Sequence, residues 1–275
     1  MDIEDYPPQE AFTDIGTLYH REVMERAEGV DGFDLSYGSD GYQAIRIFPA
    51  SQPDGNVLCV MHGGGWTNGY KEWMSFMAPA LNQFGICLVS IGYRLAPQHV
   101  FPAGLEDCCD GLALVYSRIA EWGGNPDRLF VGGHSAGGHY AALMALQNQW
   151  QNERNVPVDI IKGVLPISGT YQFGANSGLA MRPRFLGPEE GGAETTASPN
   201  QYIRADAPPF LIAWGEKDFS HLIDQAKAFS SSLRSVGVTV DCLELDDCDH
   251  LGASYASGDV KGIWPRTASE FIQKT

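Results

Sequence analysis

The sequence predicts an α/β fold: a mostly parallel eight-stranded sheet with helices on both faces and a small cap insertion. Three observations carry this prediction. Eight short apolar runs are spread along the chain, as buried strands should be. Between them lie stretches whose apolar residues recur every three or four positions, the mark of crossover helices. Two glycine-rich turns, His62 to Trp66 and Gly133 to Gly137, each follow directly on an apolar run and so fall at strand ends. With 275 residues, 44% of them hydrophobic, the chain can bury one large core, and residues 1–275 are expected to form a single domain.

The elements follow in order. Residues 1–32 are mainly polar, with helix-like spacing from Leu18 to Ala27. Phe33 to Tyr37 and Tyr42 to Phe48 suggest an antiparallel pair at one edge. Val57 to Met61, Ile86 to Ile91 and Arg128 to Val131 read as buried parallel strands. Leu105, Cys108, Leu112, Val115 and Ile119 mark one helix face. Ile160 to Ile167 and Phe210 to Trp214 are further strands. Leu222, Ala226, Phe229, Leu233 and Val236 mark a second amphipathic helix, Val238 to Leu245 the last strand. Helical spacing resumes near the C-terminus through Phe271.

Residues 171–201 break this rhythm. The segment is rich in Gly, Pro, Ser and Thr, and a structureless loop of that length is uncommon unless it serves a function. It is expected to be a cap or lid. Tyr171, Phe173, Phe185 and Leu186 either face a substrate or anchor the loop to the core.

Composition excludes some classes. The net charge is −16, from 34 acidic and 18 basic residues, which disfavours nucleic acid and anionic membranes as partners. No apolar run of 18 residues suggests a membrane span. The first residues, Met1 to Asp5, are acidic and lack the basic and apolar regions of a secretory signal, so a cytoplasmic location is expected. The six cysteines, Cys59, Cys87, Cys108, Cys109, Cys242 and Cys248, fit no zinc spacing. Cys59, Cys87 and Cys242 lie in strand-like runs and read as small buried hydrophobes. Cys248 sits near a candidate catalytic histidine and is expected to be accessible.

The chemistry is concentrated in the two turns. Gly133-His134-Ser135-Ala136-Gly137 joins an apolar run to the Ala-rich run Ala141 to Leu146. Strand, sharp turn and helix with a serine at the apex is the layout of a nucleophile elbow, whose strain tolerates only small neighbours. His62-Gly63-Gly64-Gly65-Trp66 offers backbone N–H groups with no side chain in the way. Gly64, Gly65 and Ala136 are therefore the expected oxyanion-hole donors.

These two blocks, with Tyr93-Arg94-Leu95-Ala96-Pro97, resemble the α/β-hydrolase fold. Within it the chain resembles the hormone-sensitive-lipase-like esterases and the neighbouring kynurenine-formamidase-like branch, from about Asp34 to about His250. The esterase branch usually has Asp where this chain has His134. The resemblance implies the chain order serine, acid, histidine. It places the base at His250, after the last strand, rather than at His221. It places the acid at Asp218, with Glu216 as the fallback. Asp246, Asp247 and Asp249 are read as a solvated acidic loop. The resemblance also implies that His62 holds the glycine turn, that Glu106 and Asp107 anchor a loop, and that the N-terminal segment folds over the site mouth. Trp66, Tyr70, His139, Tyr171, Phe219 and Leu251 are candidates to contact substrate, with packing the alternative for the aromatics; Trp73 shares that choice, and His221 could border the pocket.

Ester hydrolysis with small acyl groups, through an acyl-enzyme on Ser135, is the function expected. An arylformamidase-type amide hydrolase is the alternative, since esters and formamides need the same oxyanion chemistry. A non-catalytic ligand-binding protein is disfavoured, because Ser135, Asp218 and His250 are all present. No metal or organic cofactor is expected. The expected partner is a small-molecule ester or amide, with a homodimer allowed.

Overall fold

The computed structural model describes residues 3–175, 177–178, 184–188 and 192–275. Met1 and Asp2 of the expected N-terminal segment, and residues 176, 179–183 and 189–191 of the expected cap, lie outside the described residues.

Eight strands form one sheet: β1 (Phe33–Ser36), β2 (Ala44–Phe48), β3 (Val57–Met61), β4 (Cys87–Ile91), β5 (Leu129–His134), β6 (Ile161–Ile167), β7 (Phe210–Gly215) and β8 (Val240–Leu245). Their spatial order is β1-β2-β4-β3-β5-β6-β7-β8. β1 pairs antiparallel with β2, and β2 antiparallel with β4. The other pairs are parallel. The helices among the described residues are α1 (Asp14–Arg26), α2 (Ala78–Asn82), α3 (Ala103–Arg118), α4 (Ala136–Leu146), α5 (Trp150–Glu153), α6 (Ala193–Thr196), α7 (Ser220–Ser235), α8 (His250–Ala256) and α9 (Ile263–Lys274).

Every residue of β3, β4, β5 and β7 is buried, which is why these strands read as unbroken apolar runs rather than as alternation. α4 is buried along its whole length and carries no polar stripe. α3 and α7 bury the faces their periodicity marks, through Cys108, Leu112 and Val115 and through Leu222, Ala226, Phe229 and Leu233. Val236 is exposed, because α7 ends at Ser235.

Strand register sets the site. Met61 is level with Gly133, His134 with Ile167, and Gly215 with Leu245. The turns that leave β3, β5, β7 and β8 therefore open at the same carboxyl edge of the sheet, where open α/β sheets place their ligands.

Two expectations are corrected. α1 begins at Asp14, ahead of the predicted Leu18, because the Thr13 side chain caps it by accepting from the Gly16 N–H at 3.1 Å. Its first turn carries little apolar signal. Cys242 is exposed rather than buried: β8 is an edge strand, and alternate side chains face solvent. All six cysteines are free.

Candidate active site

Ser135 sits between β5 and α4 with φ 55° and ψ −116°, a backbone that L-residues seldom adopt. The neighbouring chain allows nothing bulky. A Cβ on Gly137 would lie 2.0 Å from the Met61 carbonyl oxygen, at the end of β3. Close packing of the elbow against β3 thus requires glycine there. Ala136 opens α4, so its N–H has no acceptor within the helix and points out of the helix N-terminus.

The glycine turn after β3 is held by other means. Gly64 has φ 113°, and a Cβ there would strike the Asn68 carbonyl oxygen at 2.0 Å. His62 Nδ1–H donates to the Gly63 carbonyl at 2.7 Å, and the ring stacks on Tyr93 with centroids 4.2 Å apart. Tyr93 Oη–H donates to the His62 carbonyl at 2.8 Å. Burial pushes the His62 imidazole down to about 4, so it stays neutral.

The three predicted triad residues meet. His250 Nε2 is 3.0 Å from Ser135 Oγ, and His250 Nδ1 is 2.9 Å from Asp218 Oδ1. His250 is the first residue of α8, which Asp249 caps by accepting from the Gly252 N–H at 2.7 Å. The acid and base loops are stitched together. Glu216 N–H donates to the Leu245 carbonyl at 3.0 Å, and Lys217 N–H to the Cys248 carbonyl at 2.8 Å. Burial raises the Asp218 carboxyl, but hydrogen bonds from His250, Ser168 and the Phe219 N–H outweigh it and hold it below its ordinary value. Asp218 thus remains a carboxylate facing the imidazole. The fallback Glu216 is not brought to His250: it is exposed and accepts from the Asp247 N–H at 2.9 Å. Asp247 pairs with Lys217 at 2.7 Å.

The substrate-contact candidates divide. Phe219 is 55% exposed, with its ring 5.1 Å from that of His250, and Leu251 beside the base is partly exposed. Both lie next to His250. The other four are buried, and each ring packs against another element of the core. Trp66 stacks on Phe185 at 4.4 Å and donates its Nε1–H to His139 Nδ1 at 3.0 Å. His139 is fully buried and donates its Nε2–H to the Ala197 carbonyl at 2.6 Å, so neither nitrogen is left for a ligand. Burial pushes its imidazole down to about 4. Tyr70 joins Tyr6, Tyr42 and Trp73 under the N-terminal segment. Tyr171 stacks on Phe229 of α7 at 4.2 Å. Phe173 and Phe185 are likewise buried and pack with Trp66. His221 stacks on Phe219 and opens onto a cavity of about 320 Å³ that Tyr171, Gln172, Asp224 and Ser232 also line. Asp107 anchors its loop through Arg94 and Gln43, but Glu106, one position along α3, faces solvent.

The sequence does not reveal the contacts that Ser168, His134, Tyr19, Gln9 and Glu10 make around the site. Ser168, just after β6, donates its hydroxyl to Asp218 Oδ2. His134 contacts the His250 backbone. Tyr19 of α1 shares a 2.8 Å hydrogen bond with Ser254 of α8, while Gln9 and Glu10 accept from Asn68 and Gly69 beside the oxyanion turn. Only position signals Ser168: a hydroxyl at the carboxyl end of a strand adjacent to the one that delivers the acid. Among the described residues no cluster of three or more His, Cys, Asp or Glu side chains could hold a metal ion. No helix among them is long and apolar enough to cross a membrane.

Comparison with known proteins places the chain in a family. Residues 45–233 match the BD-FAE family model. The chain is 32% identical over 254 residues to the esterase LipQ of Mycobacterium tuberculosis, covering 85% of this chain and 60% of LipQ. It is 29% identical over 230 residues to the probable isoprenylcysteine alpha-carbonyl methylesterase ICMEL1 of Arabidopsis thaliana, covering 74% of this chain and 47% of that protein. It therefore spans about half the length of these curated relatives. A solved esterase from Pyrobaculum calidifontis superposes with a TM-score of 0.75 at 21% identity, covering 95% of this chain and 93% of that one, and shares its α/β-hydrolase fold.

Proposed function

This chain belongs to the BD-FAE family, on the α/β-hydrolase fold, and we propose that it is a serine hydrolase cleaving carboxylic esters with small acyl groups. The observation that carries the proposal is the unbroken hydrogen-bond chain Ser135–His250–Asp218.

In the proposed mechanism, His250 Nε2 takes the proton of Ser135 Oγ as the oxygen attacks the ester carbonyl. The carbonyl π electrons move onto oxygen, and the N–H groups of Gly64, Gly65 and Ala136 stabilise that charge. Asp218, ionised and bonded to Nδ1–H, favours the imidazolium that forms. The tetrahedral centre collapses, His250 returns its proton to the leaving alkoxide, and an acyl-Ser135 remains. A water molecule gives its proton to His250, attacks the acyl carbon and releases the acid, and Ser135 recovers its proton.

The preference for small acyl groups is supported by the aromatic block beside the oxyanion glycines. Trp66, Phe173 and Phe185 pack against one another on that side. No group in the described site favours a formamide over an ester. The test is a side-by-side comparison of kcat/KM for short and long acyl aryl esters, an acetylated sugar and an N-formyl aryl amine. The short ester should exceed the long ester and the formamide. A formamide preferred over every ester would overturn the proposal.

A further inference from the structure

His134 takes no part in the proton route from Ser135 to Asp218, yet it is buried between Tyr19 of α1, Gly63 of the oxyanion turn and His250. Its Nε2 lies 2.8 Å from the main-chain carbonyl oxygen of His250. Its Nδ1 has no hydrogen-bond partner among the described residues. A carbonyl oxygen can only accept, so the proton of a neutral His134 resides on Nε2. Burial, and next the neighbouring His250, push the imidazole down to about 3, which keeps it neutral.

We infer that His134 is a positioning residue, whose Nε2–H pins the His250 backbone and holds the base in place when its bond to Ser135 is gone. The inference rests on the reading of Ser135 and His250 as nucleophile and base. The hydrogen bond between His250 and Ser135 is lost each time the serine is acylated. The bond from His134 involves no reacting atom and survives that step. It crosses from the end of β5 to the start of α8, over 116 residues of sequence. With Asp218 on Nδ1 and His134 on the carbonyl, His250 is held at two points and its Nε2 stays aimed at the acyl carbon for the attacking water. Losing one of the two points should therefore slow deacylation more than acylation.

The experiment uses His134→Phe, which keeps the ring and removes the donor, and His134→Gln, whose amide N–H can reach the same carbonyl. Stopped-flow kinetics on an activated acetate ester separate acylation from deacylation, and intact-mass spectrometry follows the acetyl-enzyme. In folded His134→Phe, deacylation should fall about tenfold, as expected for loss of one hydrogen bond. Acylation should fall less, so kcat and KM should drop together while kcat/KM changes little, and acetyl-enzyme should accumulate. His134→Gln should recover most of the deacylation rate. A folded His134→Phe with wild-type deacylation, or with both steps slowed equally, overturns the inference. Nitrogen-15 NMR of the wild-type histidines tests it without mutation: His134 should be the neutral Nε2–H tautomer, and an Nδ1–H tautomer overturns it. Ser135→Ala separates the two levels. Ester turnover that survives in that variant refutes the catalytic reading itself, whatever tautomer His134 shows.

Discussion

Ser168 donates its hydroxyl to Asp218 Oδ2, the carboxylate oxygen that His250 leaves free. The carboxylate is thereby fixed by three hydrogen-bonding groups: the imidazole and the Phe219 N–H on Oδ1, and the Ser168 hydroxyl on Oδ2. Ser168→Ala removes one bond to a charged group, worth about 1.5–3 kcal/mol. Activity in kcat should fall roughly tenfold or more, with KM little changed, as judged by steady-state ester hydrolysis. Wild-type kcat in a folded variant would show that Ser168 does not orient the acid.

Asp218→Asn should be far more severe. The amide presents an N–H or a weak acceptor to Nδ1 and allows the wrong imidazole tautomer, a change that costs about 10⁴ in kcat in a serine triad of this kind. Glu216→Gln should stay within a few-fold of wild type, because Glu216 caps a loop N–H and does not touch His250. Kinetics of the two variants side by side decide the matter, and the reversed order would move the acid to Glu216.

Much of this was legible in the sequence for a physical reason. Strands buried on both faces must be apolar throughout, so β3, β4, β5 and β7 announce themselves. The elbow and the oxyanion turn need glycine where backbone meets backbone, as Gly137 meets Met61, and such needs leave a local signature. What stayed hidden depends on contacts between distant segments. Trp66, Tyr70, His139 and Tyr171 are the same residue types whether they line a pocket or fill a core; only the partners differ. Phe185, Ala197, Tyr6 and Phe229 are those partners, and sequence spacing does not reveal them. Ser168 and His134 are silent for the same reason.

His139→Ala should destabilise the fold rather than remove a ligand contact. It would leave the Trp66 indole N–H and the Ala197 carbonyl unpaired in a buried place, at about 1–3 kcal/mol for each unsatisfied group. Urea unfolding should report a loss of that order. An unchanged midpoint with a raised KM would instead return His139 to the substrate.

Stability should fall as pH is lowered below about 6.5. Unfolded imidazoles bind a proton near that value. Buried His62 and His139 resist until about 4, and His134 until about 3. Between those limits the unfolded chain holds more protons, so acidification favours unfolding, and the stabilisation is fully present only above the unfolded value. The melting temperature should therefore drop between about pH 7 and about pH 5. The drop should be smaller in His139→Gln, which has one such group fewer. An equal drop in both proteins would mean that the buried imidazole at 139 is not coupled to folding.

The most direct measurement is peptide mapping by mass spectrometry after treatment with a fluorophosphonate, a probe that reports an activated serine. One adduct per chain should form, on Ser135, with labelling abolished in Ser135→Ala and strongly slowed in Asp218→Asn. An adduct on another residue, or ester turnover that continues when Ser135 is unlabelled or replaced, would contradict the assignment of Ser135 as the nucleophile.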